Sequence, residues 1–188
     1  MSTRERILDA AADLLWERGY ASTSPQAIQD RAGVGQSSMY HHFAGKSSLA
    51  AESLRRDSER LRLATAELLA TGESPIDAVM RYLSSPREGL RGCKLGRMTQ
   101  DPEVLADPAL RSPIAETFTF YQGRIAILLE AARRDGQLIP QFSPTDVAAT
   151  IVAIVQGAHV LARAEQSQEA FERVIQGGMQ LVDSLRVR

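Results

Sequence analysis

Between Ala32 and Leu49 the chain reads AGVGQSSMYHHFAGKSSL, a short stretch crowded with side chains that can do chemistry. Gln36, Ser37, Ser38, Tyr40, His41, His42 and Lys46 supply amide, hydroxyl, imidazole and ammonium groups. His41 and His42 are adjacent, and successive residues of a helix point about 100° apart, so the two rings do not readily share one ion. No second Cys/His cluster accompanies them, so neither a metal nor any other cofactor is expected. Hydrolysis needs a nucleophile paired with a base, and no such pair or phosphate-binding glycine loop is legible. The single cysteine, Cys93, has Arg91, Lys94 and Arg97 nearby, which favour a thiolate. It reads as a packed residue, with a redox sensor as the alternative. Nucleic-acid reading fits better. A glutamine amide pairs bidentately with adenine, serine hydroxyls reach a base or a phosphate, and Tyr40 and Lys46 suit phosphates.

The elements around this stretch are predicted from caps and apolar spacing. Ser2 and Glu5 have capping-box spacing, so a helix begins near residue 3. Ile7, Leu8, Ala11, Leu14 and Leu15 repeat at helical intervals, Gly19 ends the run, and Trp16 and Tyr20 close a small core. Ser24 caps a second helix with Pro25 in its first position; Ala27, Ile28 and Ala32 face inward and Gly33 stops it. A third helix covers VGQSSMYHHF with Gly35 as its cap, and a long fourth runs up to Gly72. Val34, Met39 and Phe43 form the buried side of the third, which turns Gln36, Ser37, Ser38, Tyr40 and His41 outward. Three short helices with a glycine turn between the second and third match a helix-turn-helix. A polar, uncharged outer face suits a helix lying in a major groove.

Residues 3–49 resemble the DNA-binding domain of the tetracycline-repressor (TetR) family. The resemblance rests on Gly19-Tyr20, Ser24, Ile28, Ala32-Gly33-Val34, Tyr40, His42-Phe43, Lys46 and Leu49 at the family's spacing. The chain departs from the pattern at Gly35, where the family usually has serine, and at Ser37, where it often has glycine. The resemblance implies an all-α fold. An N-terminal helix-turn-helix DNA-binding domain (1–46) is joined by a long helix to a larger ligand-binding and dimerisation domain (47–188). It implies a ligand-responsive transcriptional regulator rather than an enzyme, most often a repressor released from a palindromic operator by a small molecule. A small-molecule-binding helical dimer without DNA binding is the alternative. Ser24, Gln36, Ser37, Ser38, Tyr40, His41, His42 and Lys46 are then the expected DNA contacts.

Composition bounds the rest. The chain has 188 residues, a formal net charge of −1 and 5% aromatics. That length allows about two thirds of the unfolded surface to be buried, and the wealth of Ala, Leu and Arg favours helices. Residues 1–60 carry eight basic and eight acidic side chains. Few net cations release few counterions, so a shallow salt dependence of DNA binding is expected. The start of the chain lacks a signal-peptide pattern, and no apolar run is expected to approach the ~18 residues of a membrane span. With a lone cysteine, the reading is a soluble cytoplasmic protein without a membrane partner.

Beyond Ser74-Pro75 the sequence reads as a helical body, with a long helix once past Pro113 and two more opening at Ser143-Pro144 and Ser167. Tyr82, Leu83, Leu95, Met98, Phe118, Tyr121, Ile125, Gln156 and His159 are candidates for an effector chamber, where a few polar groups orient a ligand among apolar walls. His159 reads equally as a core histidine satisfied by a carbonyl. VAATIVAIVQGAHVLA is apolar nearly all round and must be buried on several sides. With Gly157 and Gly177-Gly178 permitting close approach, a homodimer through the last two long helices is expected.

Overall fold

The computed structural model describes residues 1–70 and 74–187, and these contain ten α-helices. The chain forms two compact units: Met1–Arg60 with Cys93–Glu116, and Leu61–Gly92 with Thr117–Arg188. The segment Cys93–Glu116, far along the chain, packs with the N-terminal helices in the first unit. The predicted stop of the fourth helix at Gly72 lies outside the described residues.

In the first unit α1 (Thr3–Arg18), α2 (Pro25–Ala32) and α3 (Gln36–His42) enclose a small core of Ile7, Leu8, Ala11, Leu14, Ile28, Met39 and Phe43, completed by Leu49 of α4 (Lys46–Leu69). The caps are those the sequence predicts. Ser2 and Glu5 form a complete capping box, and Ser24 Oγ accepts from Ala27 N–H. Gly33 closes α2 at φ 63°, a left-handed conformation that glycine adopts without a Cβ penalty. Arg6 fastens α1 to that end: its Nη2 donates to the carbonyls of Ala32 and Gly33, both at 2.9 Å. Each fully buried Ile, Leu or Met side chain contributes on the order of 1.5–3 kcal/mol. Met39, fully buried, therefore does much to hold α3 in place.

The same unit includes α6 (Lys94–Met98), α7 (Pro102–Ala106) and the first turns of α8 (Pro108–Arg134). Leu95 and Met98 sit among Ala12, Leu15, Trp16 and Leu54. Lys94 pairs with the buried Asp57 at 3.5 Å and lies 4.8 Å from the Trp16 ring centroid. α8 begins earlier than predicted and runs through Pro113. That residue falls early in the helix, and its carbonyl accepts from Ser58 Oγ at 3.1 Å.

The second unit is built from the rest of α4 and α8 with α5 (Pro75–Ser84), α9 (Pro144–Glu165) and α10 (Gln168–Asp183). Leu69, Ile76, Val79, Leu83, Ile125, Leu129, Ile151, Val155 and Phe171 form its core. Ser74, Ser143 and Ser167 cap α5, α9 and α10 as read from the sequence. Gly178 lets α10 approach α9: a Cβ there would lie 2.8 Å from Ile154 Cγ2. An isolated antiparallel bridge, Leu138 with Arg186, ties the chain end to the segment after α8.

One expectation about α9 needs correction. By length and composition this helix is apolar enough to cross a membrane, contrary to the expectation that no run comes close. In the single chain one side of it is open. Ala148, Ile151, Val152, Val155, Ala158 and His159 face the core, while Val160 and Leu161 remain 63% and 45% exposed.

Candidate nucleic-acid interface

α3 presents one side to the core and the other to solvent. Met39 and the following Phe43 are buried, and three- and four-residue spacing then sends the intervening side chains outward. Gln36, Ser37, Tyr40 and His41 are exposed; Ser38 and His42 are half-buried. The two imidazoles meet edge to face at 5.0 Å, and His42 leans on Phe43 at 6.4 Å. Ser24 is exposed, but its oxygen is already engaged in capping α2, which leaves its hydroxyl hydrogen to donate. Lys46 is half-buried, with its ammonium 4.1 Å from the centroid of the Tyr20 ring.

Most cations of this unit are engaged internally. Arg4 pairs with Glu52 and Arg31 with Glu17; Arg56 meets Asp9 at 2.6 Å. Arg6 is spent on helix-end carbonyls and Lys94 on Asp57. The outward surface of α3 is thus neutral, hydrogen-bonding and short. It suits reading base edges better than holding a polyanion by charge.

The expected effector residues are only partly brought together. Tyr82, Phe118 and Tyr121 cluster, with centroids 6.3 Å apart from Tyr82 to Tyr121 and 6.3 Å from Phe118 to Tyr121. Ile125 is fully buried in the same core. Gln156 is half-buried on α9. His159 is buried; its Nδ1 lies 3.3 Å from the Gly89 carbonyl and its ring is tilted against that of Phe171, centroids 4.8 Å apart. A carbonyl only accepts, so Nδ1 carries the proton. Burial holds the imidazole below its ordinary pKa, with the Gly89 bond opposing that shift. Met98 and Leu95 do not join this group; they pack in the first unit. Sequence reasoning missed a cleft of about 310 Å³, lined by Leu83, Arg87, Phe171, Glu172, Ile175 and Met179 among others. Phe171, Ile175 and Met179 share a stripe of α10 at four-residue spacing. Its other wall comes from residues some eighty positions earlier, which no local pattern reveals.

Comparison with known proteins places this geometry. Residues 7–52 match the family described as bacterial regulatory proteins, tetR family, and residues 73–177 match the tetracyclin repressor-like C-terminal domain. The chain belongs to the TetR family of transcriptional regulators; it carries a DNA-binding helix-turn-helix and is not an enzyme. An uncharacterized HTH-type transcriptional regulator in the lacX 3' region of Lactococcus lactis subsp. lactis is 26% identical over 181 residues, 91% of this chain and 88% of the relative. The HTH-type transcriptional repressor DhaR of Mycobacterium sp. (strain GP1) is 22% identical, covering 92% of this chain and 88% of its own. A TetR-family regulator from Agrobacterium tumefaciens superimposes with a TM-score of 0.86 at 20% identity, over 98% of each chain, and so shares the fold.

Proposed function

We propose that the protein is a ligand-responsive repressor that binds a palindromic operator as a homodimer and releases it when a small molecule occupies the C-terminal part. The observation that carries this reading is the solvent-facing row Gln36, Ser37, Tyr40 and His41 on a helix anchored by Met39 and Phe43. Gln36 reads a base, Ser37, Ser38 and His41 meet bases or phosphates, and Tyr40, His42, Ser24 and Lys46 grip phosphates. Residues 1–46 form the reading domain and 47–188 the domain for ligand binding and dimerisation. As a DNA-binding regulator the protein works in the cytoplasm.

The dimer forms through α9 and α10. Val160, Leu161 and Leu181 are 63%, 45% and 64% exposed, and Gly157 and Gly177 have nothing within 4 Å of where a Cβ would stand. Bare apolar side chains beside open glycines are what a second helix pair packs into, and two-fold symmetry then supplies paired reading heads. The effector binds the second unit, through Tyr82, Phe118, Tyr121, Ile125, Gln156 and His159 or in the adjacent cleft. Its signal travels along α4 and α8, the helices that carry the chain from one unit to the other. Cys93 is left as the cap of α6, where its Sγ accepts from Gly96 N–H at 3.3 Å.

Linkage makes the central test quantitative: effector and operator must weaken each other by the same factor. Titrating effector against free and operator-bound dimer is expected to show that equality. Equal effector affinity for both forms would exclude induction, and absence of any selected duplex would leave only a small-molecule-binding dimer.

A further inference from the structure

Two carboxylates in the α6–α8 segment are each used twice. Asp101 caps α7 with Oδ1, which accepts from Glu103 N–H at 3.0 Å, while Oδ2 accepts from Ala21 N–H at 2.7 Å. Ala21 lies in the turn between α1 and α2, eighty residues away in sequence. Asp107 repeats the arrangement at the start of α8. Its Oδ1 accepts from Ala109 N–H at 2.9 Å and its Oδ2 from Ser47 Oγ at 2.9 Å, in the first turn of α4. Capping a helix needs one oxygen. The second oxygen of each carboxylate therefore does something the local helix does not require: it holds the helix-turn-helix at two separate points. Tyr20 lies between these points. Its ring is buried beneath the Lys46 ammonium. Burial raises the pKa of its hydroxyl, a bond to Ser47 opposes that, and Glu103, Asp107 and Asp101 add to the rise.

We propose that Asp101 and Asp107 are positioning residues for DNA reading, whose outer oxygens clasp the α1–α2 turn and the first turn of α4 and so fix Lys46 and α3 in the attitude that reads base edges. The inference rests on the DNA-reading role of α3. Base readout demands geometry held to about half an ångström, whereas attraction to phosphates is long-ranged and tolerant. Loosening either clasp therefore damages specific binding and spares non-specific binding. The charges predict the opposite: removing a negative side chain beside a DNA-binding surface strengthens binding to every duplex. The two effects have different signs and can be told apart.

The full chain is compared with Asp101→Asn, Asp107→Asn and Ser47→Ala. The specific probe is a duplex selected by the unmodified chain from a random library, and the non-specific probe is a duplex of the same length lacking the selected sequence. In Asp101→Asn the single acceptor oxygen serves the cap or the Ala21 amide but not both, whereas in Asp107→Asn the side-chain Nδ2 can donate to Ser47 Oγ and keep the clasp without the charge. Ser47→Ala opens the second clasp without touching a cap or a charge. Asp101→Asn and Ser47→Ala are each expected to lower the ratio of specific to non-specific affinity by about tenfold, and Asp107→Asn to keep it. In Asp101→Asn the Ala21 amide is expected to exchange its hydrogen faster. An unchanged ratio in Asp101→Asn or Ser47→Ala, an equal rise on both duplexes in Asp101→Asn, or an Ala21 amide as protected as before overturns the proposal. If the unmodified chain selects no duplex, the DNA-reading role itself fails; a faster Ala21 exchange in the same variant would show that the clasp exists but serves another purpose.

Discussion

Adjacent glycines on α10 offer a test of the dimer surface, because Gly177 and Gly178 share a helix but not their surroundings. Replacing either by alanine removes a residue that costs a helix interior about 1 kcal/mol. At Gly178 the new methyl would stand 2.8 Å from Ile154 Cγ2 and 3.4 Å from its Cδ1, inside the chain's own core. Overpacking of that kind costs about 1–3 kcal/mol, so Gly178→Ala is expected to be neutral to destabilising by about 2 kcal/mol at any protein concentration. At Gly177 nothing lies within 4 Å, so the isolated chain should gain the full propensity term, about 1 kcal/mol. If the partner's helix approaches there, the methyl appears twice across the two-fold axis. About 1 kcal/mol of overpacking at each copy, beyond the propensity gain, then weakens the dimer by about 2 kcal/mol in all, roughly thirtyfold in Kd. Sedimentation equilibrium over a hundredfold range of concentration measures Kd, and urea unfolding measures the chain. Gly177→Ala with a more stable chain and an unchanged or tighter dimer would refute the packing of α10 against a partner.

Among the described glycines of the second unit Gly89 is the most crowded: a Cβ would stand 2.6 Å from Phe171 Cβ and 2.8 Å from Gln168 Oε1. Gly89→Ala is expected to cost about 2–3 kcal/mol in urea unfolding; a change below about 0.5 kcal/mol would mean that the loop relaxes freely. His159 is held neutral by burial, its folded pKa below its ordinary value of 6.5. In the window just below pH 6.5 the unfolded chain then binds more protons than the folded one, so stability falls as pH drops. Thermal unfolding at pH 7.5 and 5.5 should show this fall, and His159→Gln should flatten it; an identical slope in the variant would contradict the assignment. Gln36→Ala should relax operator preference at a single base pair by about 1–3 kcal/mol while leaving the salt dependence as it was. Competition binding on singly substituted duplexes reads this, and uniform weakening at all positions would instead make Gln36 a phosphate contact. The internal pairing of Arg4, Arg31, Arg56 and Lys94 predicts a salt slope no steeper than a dozen phosphate contacts per dimer require, checked by titrating operator affinity against salt.

The features legible in the chain were local. Ser2 with Glu5, Ser24-Pro25, Ser74-Pro75 and Ser143-Pro144 marked helix starts because capping acts within three or four residues of chain. Met39 and Phe43 fixed which side of α3 looks outward, because helical periodicity turns one buried side into one exposed side. Tertiary structure decided everything that depends on meetings across the chain. It brought Cys93–Glu116 back to the N-terminal helices and placed Met98 there instead of in an effector chamber. It satisfied His159 with the Gly89 carbonyl and left one side of the apolar α9 bare. It also turned two ordinary-looking aspartates into clasps across eighty and sixty residues. Neither their spacing nor their composition announces that role. A carboxylate has two acceptor oxygens, and only the folded arrangement determines what the second one meets.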